Sequence, residues 1–225
     1  QKLYSDRFLS FTLSTQLMFD RDNWIIELTP RVQQQWVDLQ PYLMKPGAFL
    51  RVHKRFEHSE TGFTYDYVRN APQMTGIEYL GGPIHSAAIF YSWYTPAVLW
   101  SFSLVYDRED IGQIDNGGNT LPLAFDGFGP MIRALWYPTD AWELLSQAYY
   151  TKRKYTPLAQ PGEVERADDQ TGLSARVSYR LTKDVSFYLL GDFTSNKSTL
   201  DAASGKNKNY TQWGVFGGTT WELSL

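Results

Sequence analysis

Apolar and polar side chains alternate every two residues from one end of this chain to the other, and this feature most constrains its fold. In the clearest run, residues 98–107, one of the two faces is wholly apolar. Successive side chains of a strand point to opposite sides of a sheet, so the alternation is typical of strands with two different faces. Helical periodicity is nearly absent. The pattern predicts an all-β protein.

We predict about twelve strands, with about 10 to 14 compatible with the same signals. The alternation is strong at 9–19, 24–36, 98–107, 173–181 and 210–225. Weaker runs lie at 47–57, 63–69, 74–80, 86–94, 126–137, 141–151 and 185–194. No repeat, low-complexity tail or linker divides the chain, so residues 1–225 are predicted to form a single domain.

The connections between these runs alternate in length. Compact turns are predicted at 70–73, 94–97, 137–140 and 181–184, and long polar loops at 107–124, 152–172 and 195–209. In an up-and-down sheet, such an alternation collects the tight turns at one end and the long loops at the other. Because closure removes unpaired edges, the predicted fold is a closed up-and-down antiparallel β-barrel.

The orientation of the apolar face decides what such a barrel does, and alternation alone does not distinguish a soluble barrel from a membrane barrel. About twelve strands with about five apolar residues each would overfill the lumen of a small soluble barrel. Trp and Tyr residues also cluster near strand ends, as they do at bilayer interfaces. These features favour a transmembrane β-barrel over a soluble ligand-binding barrel. No apolar run approaches the ~18 residues of a transmembrane helix.

An outward apolar face divides the candidate site residues into two sets. Basic groups on the polar face could concentrate anions, or could instead pair internally with carboxylates such as Asp66. The predicted lipid-facing residues are Val98, Trp100, Phe102, Leu104, Val177, Tyr179, Trp213 and Trp221. The predicted pore-lining residues are Glu27, Arg31, Arg51, Arg55, Arg133, Glu143, Arg176, Arg180 and Asp192.

The end of the chain resembles Gram-negative outer-membrane β-barrels of the porin type. The stretch 179–188, followed by a polar loop and an aromatic closing strand, is similar to the last hairpin of many porins. The segment 218–223 matches most of their terminal Gly-x-x-aromatic-x-aromatic signal, although Leu225 replaces the usual final aromatic residue. The resemblance implies the bacterial outer membrane, a lipid bilayer environment, and recognition by the outer-membrane assembly machinery. Lys152, Arg153 and Lys154 would then lie near lipopolysaccharide phosphates, or would form an ordinary charged rim of the barrel.

The function predicted from these features is passive diffusion of small hydrophilic solutes through a channel with a modest preference for anions. One alternative is the pore module of a polysaccharide or protein export or assembly system. Another is a lipid-modifying outer-membrane enzyme using His85 and Ser86, but neighbouring residues of a strand point to opposite faces, so the sequence predicts no enzyme and no catalytic residue.

Composition excludes several other classes of protein. The chain has no Cys, which rules out disulfide scaffolds, Cys-ligated zinc and thiol nucleophiles. Its net charge of −3, with both signs interspersed, is not the footprint of a nucleic-acid-binding protein. The acidic stretch at 107–120 lacks the spacing of an EF-hand loop, so an outer loop is favoured over a calcium site. No metal or other cofactor is predicted.

Overall fold

The structure is a computed structural model that describes residues 8–111, 113–116, 119–122, 124–156, 166–199 and 209–221. It contains fourteen strands and one short 3-10 turn, Glu78–Leu80. The strands are β1 Phe8–Ser14, β2 Leu17–Arg21, β3 Trp24–Val37, β4 Gln40–Arg55, β5 Ser59–Pro72, β6 Gly82–Tyr94, β7 Val98–Glu109, β8 Gln113–Asn116, β9 Asn119–Pro122, β10 Phe125–Thr139, β11 Trp142–Tyr155, β12 Ala167–Arg180, β13 Val185–Ser198 and β14 Tyr210–Trp221.

Twelve of the strands form one antiparallel sheet, in which β3 to β7 and β10 to β14 follow one another in chain order, while β8 and β9 form a separate hairpin. This confirms the predicted all-β, up-and-down architecture and the predicted number of strands. β1 and β2 both pair with β3 and follow one another along its edge. The break between them, at residues 15 and 16, lies opposite Pro30, which has no N–H to donate to this neighbour.

The connections fall into two groups at opposite ends of the sheet. At one end, the short-connection end, the chain turns within 22–23, 56–58, 95–97, 140–141 and 181–184. At the other, the long-connection end, β5 is joined to β6, β7 to β10, β11 to β12 and β13 to β14, and one tight turn lies at Asp38 and Leu39. Both residues of that turn have positive φ, as a two-residue hairpin requires. The predicted separation of short and long connections is therefore present.

Two predictions near the connection between β5 and β6 are wrong. Residues 74–80, predicted as a strand, lie in the connection between β5 and β6 and include the 3-10 turn. The compact turn predicted at 70–73 is mostly strand, because β5 continues to Pro72 and pairs there with β4. Pro72 is the last residue of its strand, where a missing N–H costs little. The break between two strands was therefore predicted correctly, but it was placed too early in the sequence.

The apolar side chains of the sheet lie mainly at its surface. Among the described residues, the buried hydrophobic side chains are only Ile25, Leu43, Phe90 and Phe125, whereas a much larger number of bulky apolar side chains are exposed. Trp213 is the extreme case, with 76% of its surface accessible. A water-soluble domain of this size would bury most such groups. In the described part of the chain, no helix is long and apolar enough to cross a membrane.

Candidate functional site in the charged face of the sheet

One face of the sheet, here called the charged face, carries Arg31, Arg51, Arg133 and Arg176. A cavity of about 440 Å³ on this face is lined by side chains from β4, β5, β6, β7, β10, β11 and β12. Strands β4 and β12 are separated by five others in the sheet order. Their side chains line one cavity because the sheet curls around it, with the charged face inside.

Charged and hydroxyl side chains dominate the polar part of the cavity. Arg51 of β4, Arg133 of β10 and Arg176 of β12 face the same space as Glu60 and Glu143. Apolar groups complete its lining, so the cavity is not wholly polar. The remaining lining residues are Phe49, Thr64, Ala88, Phe90, Ser92, Leu99, Ser101, Ser103, Met131, Leu135 and Leu145.

A buried ionic cluster lies on β3, β4 and β5 near the short-connection end. Arg51 forms an ion pair with Glu60, whose side chain is 3% exposed, and lies 3.7 Å from Glu27. His53 is almost completely buried between the same carboxylates: its Nε2 lies 3.5 Å from Glu60 Oε2, and its Nδ1 lies 3.9 Å from Glu27 Oε1. The four side chains come from three adjacent strands, so they tie this part of the sheet together.

Arg31 forms the second ion pair of this wall. Its Nη2 donates to both oxygens of Asp66, at 2.7 and 2.5 Å. Arg31 is on β3 and Asp66 is on β5, so the side chain crosses β4. The residue registered opposite Arg31 on β4 is Gly47, which has no side chain to intervene. The pair is about one third exposed.

The arginines of β10 and β12 have weaker partners. Arg133 donates through Nε and Nη2 to the amide oxygen of Gln147, at 3.3 and 3.0 Å. Among the described residues, no carboxylate lies within 4 Å of its guanidinium nitrogens. Arg176 pairs with Glu143 at 2.7 Å, but its side chain is 41% exposed. This wall of the cavity therefore presents a cation whose charge is not balanced by an adjacent carboxylate.

Three further predicted pore-lining residues lie away from this cavity. Arg55 and Arg180 are the last residues of β4 and β12, at the short-connection end, and both are exposed. Asp192 lies on β13, in register with Ser174 and Gly214. The structure therefore brings together Arg51, Arg133, Glu143 and Arg176 from the predicted set and distributes the others over the same face.

Most of the residues predicted as lipid-facing have exposed side chains on the opposite face, here called the apolar face. Trp100, Phe102 and Leu104 are 37%, 49% and 44% exposed, whereas Ser101, between them in sequence, lines the cavity. Val98 is partly exposed. Val177, Tyr179 and Trp213 are exposed as well. Trp221 ends β14, and its side chain lies outside the described set.

Two buried acids were not recognised from the sequence. Glu60 has the same two-residue phase as Asp66, but the predicted strand began only at residue 63. Asp168 lies on β12 in a segment predicted as loop. It accepts hydrogen bonds from Arg166, at 2.6 Å, and from Asn196, at 3.1 Å. The even-numbered residues of 60–66 and 168–176 are polar or glycine. This two-residue spacing is the signal that could have identified both acids.

The histidines have carboxylate or phenol partners. His85 Nδ1 lies 2.7 Å from the Tyr65 hydroxyl, and His85 is registered opposite Tyr67. Ser86 is registered opposite Asp66, so the two members of the predicted His85–Ser86 pair start from opposite faces. His58, in a turn, lies 3.5 Å from Glu57. The most enclosed histidine is therefore His53, in the ionic cluster.

The structure describes the side chains of only the first part of the acidic stretch at 107–120. Asp107 and Glu109 belong to β7, and Arg108 Nε donates to the Asp110 carboxylate at 2.9 Å. The side chains of residues 113–122 lie outside the described set. In the described part of the chain, no group of three or more metal-ligating His, Cys, Asp or Glu residues is present.

One loop carboxylate titrates abnormally. In the connection between β5 and β6, backbone N–H groups of Glu78 itself and of Gly76 donate to the Glu78 carboxylate, the latter at 2.9 Å. Because these bonds favour the ionised form, the pKa of Glu78 is held below its ordinary value. The side chain is fully exposed, so the shift is a local property of this connection.

Comparison with known proteins gives structural but not sequence relatives. No protein-family model matches the chain, and neither does any curated protein sequence. The fold is similar to that of a solved structure described as outer-membrane expressed OmpT of Vibrio cholerae, with 11% identity and a TM-score of 0.52. That match covers 93% of this chain and 64% of the other. A structure described as in-vitro folded OmpT from the same organism matches with 9% identity and a TM-score of 0.48, covering 96% and 97%.

The curled antiparallel sheet, its exposed apolar face and the similarity to the first of these structures define a class: the chain has the fold of a Gram-negative outer-membrane β-barrel. The fold places the chain in the lipid bilayer of the bacterial outer membrane, which confirms the location predicted from the sequence.

The prediction that the chain is not an enzyme is wrong. One solved structure that resembles it, at 11% identity, is an outer-membrane protein with the name OmpT, and that likeness is compatible with an enzyme. The prediction of no catalysis depended on a single pair, His85 and Ser86, whose side chains start from opposite faces. The buried His53 cluster is a separate arrangement of acid and base groups.

Proposed function

We propose that this barrel is a channel for passive diffusion of small hydrophilic solutes across the outer membrane, with a modest preference for anions. The single observation that carries the proposal is the cavity inside the curl of the sheet, lined by three arginines and two glutamates from strands on different sides. Polar walls replace part of the hydration of a passing solute, and excess positive charge raises the local concentration of anions.

Size favours small solutes over a polymer. The cavity of about 440 Å³ is lined in part by the bulky apolar side chains of Phe90, Met131 and Leu145. An export pore for polysaccharide or protein would need a wide, open lumen. The proposed pore-lining set remains the one predicted from sequence, with Glu60 and Asp66 added as the partners of Arg51 and Arg31.

Arg133 is the proposed source of the anion preference. Arg51 and Arg31 are balanced by carboxylates, and Arg176 is balanced by Glu143. Arg133 is bound to a neutral amide, so its charge acts on a solute without a neighbouring anion to cancel it. A cation next to low-dielectric walls also acts more strongly than the same charge in bulk water.

Planar-bilayer recordings test the proposal directly. Protein extracted from membranes should give discrete conductance steps, and reversal potentials in asymmetric KCl should indicate preference for chloride. Arg133→Gln should move the reversal potential toward the potassium value. Arg55→Gln removes the same charge at an exposed strand end and should cause a smaller shift.

The outcomes separate the parts of the proposal. A protein that inserts without discrete conductance is not a channel. If the wild type prefers potassium, the proposed anion preference is wrong. If the two variants shift the reversal potential equally, Arg133 is not the source of the preference.

The long-connection end supports a second interaction, with lipopolysaccharide phosphates. Arg153 is stacked over the Phe125 ring, 4.4 Å from its centroid, whereas Lys152 and Lys154 alternate with it along β11 and are exposed. We propose that these two lysines contact lipid phosphates, that the exposed apolar face contacts acyl chains, and that residues 218–223 are read by the assembly machinery. Replacing both lysines by Gln should weaken lipopolysaccharide binding to the detergent-solubilised protein.

A hydrolytic activity is the second candidate function, and the His53 cluster is the observation that favours it. An imidazole beside carboxylates is the arrangement used in general-base catalysis. Burial of His53 counts against access by a substrate. Turnover of fluorogenic ester or peptide substrates that is lost in His53→Gln would support it, and no turnover by the wild type would remove it.

A further inference from the structure

The sheet ends in two edges whose outer sides pair with no other described strand. Among the described residues, β1 and β2 pair only with β3, and β14 pairs only with β13. The second edge of each therefore carries backbone N–H and C=O groups without partners from the described strands. In a bilayer such groups are satisfied within the protein, because lipid offers no hydrogen bonds. The space between these edges is here called the seam.

Strand direction decides what can fill the seam. The sheet has twelve strands, but β1 and β2 share one position, so it has eleven positions across. Every neighbouring pair is antiparallel, and ten reversals return the chain to its starting direction. β1, β2 and β14 therefore all run from the long-connection end to the short-connection end. Direct pairing of the two edges would be parallel, unlike every other pair in the sheet.

A second copy of the chain meets the same obstacle. Two copies inserted in the membrane with the same orientation have all their edge strands running in the same direction. Any pairing between the edges of such copies is parallel too. An antiparallel ladder on both sides of the seam needs an odd number of additional strands, and one is the smallest number.

We propose that the seam is filled by one further transmembrane strand, antiparallel to both β1–β2 and β14, which completes a wall of twelve positions. This agrees with the even strand number of bacterial single-chain barrels. The outer-membrane expressed OmpT structure, which has a similar fold, is also longer than this chain, since the match covers 64% of it. The proposal does not depend on the channel function, because it concerns only closure of the wall.

The edges specify the chemistry of this strand. Leu9, Phe11 and Leu13 lie on the apolar face of one edge, and Trp213 and Val215 on that of the other. On the charged face, the edges present hydroxyl, amide and glycine positions, including Ser10, Thr12, Gln212 and Gly214, together with the aromatic side chains of Tyr210 and Phe216. The strand therefore has apolar side chains alternating with small or uncharged polar ones, over at least the ~9–11 residues that cross a bilayer.

Cysteine cross-linking tests the proposal, since the chain has no native Cys. Thr12→Cys is combined in turn with Gln212→Cys, Gly214→Cys and Phe216→Cys in the full-length protein in its native membrane. Neighbouring strands are about 4.8 Å apart, so an intervening strand sets the edges about 10 Å apart. Disulfides do not bridge Cα atoms more than about 7 Å apart. We expect no disulfide, but cross-linking within one chain by a bismaleimide with a span of about 10 Å.

Matched pairs within the sheet calibrate the result. Ser174→Cys with Asp192→Cys joins registered neighbours and should form a disulfide. Gln147→Cys with Asp192→Cys spans one intervening strand and should react only with the longer reagent. If a Thr12 variant fails to fold, judged by heat-modifiable electrophoretic mobility, Gln16→Cys replaces it.

Three outcomes overturn the proposal. A disulfide between the edges means direct parallel closure. Cross-links only between chains mean that another copy fills the seam. No reaction with either reagent, while both calibration pairs behave as expected, means that the gap is not one strand wide.

Discussion

The two walls of the cavity use the same residue types in different ways. On β3, β4 and β5, the arginines are paired with carboxylates, and Glu60 at the centre of the cluster is 3% exposed. On β10, β11 and β12, Arg133 is held by an amide, and Arg176 is 41% exposed. Similar residues thus stabilise one wall and expose charge to the cavity on the other.

Burial explains this difference. Removing water from a charge is costly unless a counter-charge and hydrogen bonds compensate it. The buried wall therefore needs its carboxylates, whereas the exposed wall keeps its cations hydrated. Truncation of a side chain should accordingly cost stability on the first wall and alter the electrostatics on the second.

Glu60→Ala should produce the largest effect. It removes the more buried of the two carboxylates shared by Arg51 and His53 and leaves only Glu27 beside them, and breaking a buried ion pair costs about 3–5 kcal/mol. Urea titration of the protein folded in lipid vesicles measures this free energy of unfolding. Glu57→Ala removes the same group where it is 88% exposed and should change stability by less than about 0.5 kcal/mol. Equal effects of the two variants would contradict the assigned difference between buried and exposed charge.

Gly172→Val tests steric packing on the second wall. A Cβ at Gly172 would lie 2.3 Å from Cζ of Tyr149, which covers this glycine across the β11–β12 pair. Displacing the ring should cost about 1–3 kcal/mol, measured by the same titration. Gly191→Val is the matched control, because a Cβ there meets no atom within 4 Å.

A double variant identifies the source of that cost. If the ring is the obstacle, Gly172→Val should be less destabilising in a Tyr149→Ala background than in the wild type. Additive effects of the two substitutions would instead indicate a cause in the backbone of β12.

The central part of the strands was predictable from the sequence because the two faces meet different surroundings there. Apolar surroundings on one side and polar ones on the other force the two-residue alternation seen in 98–107. The strand ends were not predictable in this way. At 59–62 and 167–171 nearly all side chains are polar, so the pattern disappears although the backbone pairing continues. Glu60 and Asp168 lie in these segments.

The partners within the site depended on information that the local sequence does not contain. The Arg31–Asp66 pair crosses β4, so it depends on register across three strands and on the side-chain-free Gly47 between them. Arg133 and Arg51 line one cavity only because the sheet curls. Polarity of the face was predictable, but which charges are cancelled was not.

The smallest effect on stability and on the reversal potential is expected when the Arg31–Asp66 ion pair is replaced by two neutral amides. Arg31→Gln with Asp66→Asn replaces a bidentate ion pair by two amides and leaves the net charge of the cavity wall unchanged. Part-exposed pairs contribute about 0–1 kcal/mol, so stability should change little. The reversal potential in asymmetric KCl should stay at the wild-type value, whereas Arg133→Gln, which removes one uncancelled charge, should move it. A shift in the double variant as large as that of Arg133→Gln would show that Arg31 acts on solutes despite its carboxylate partner, and the distinction between the two walls would be lost.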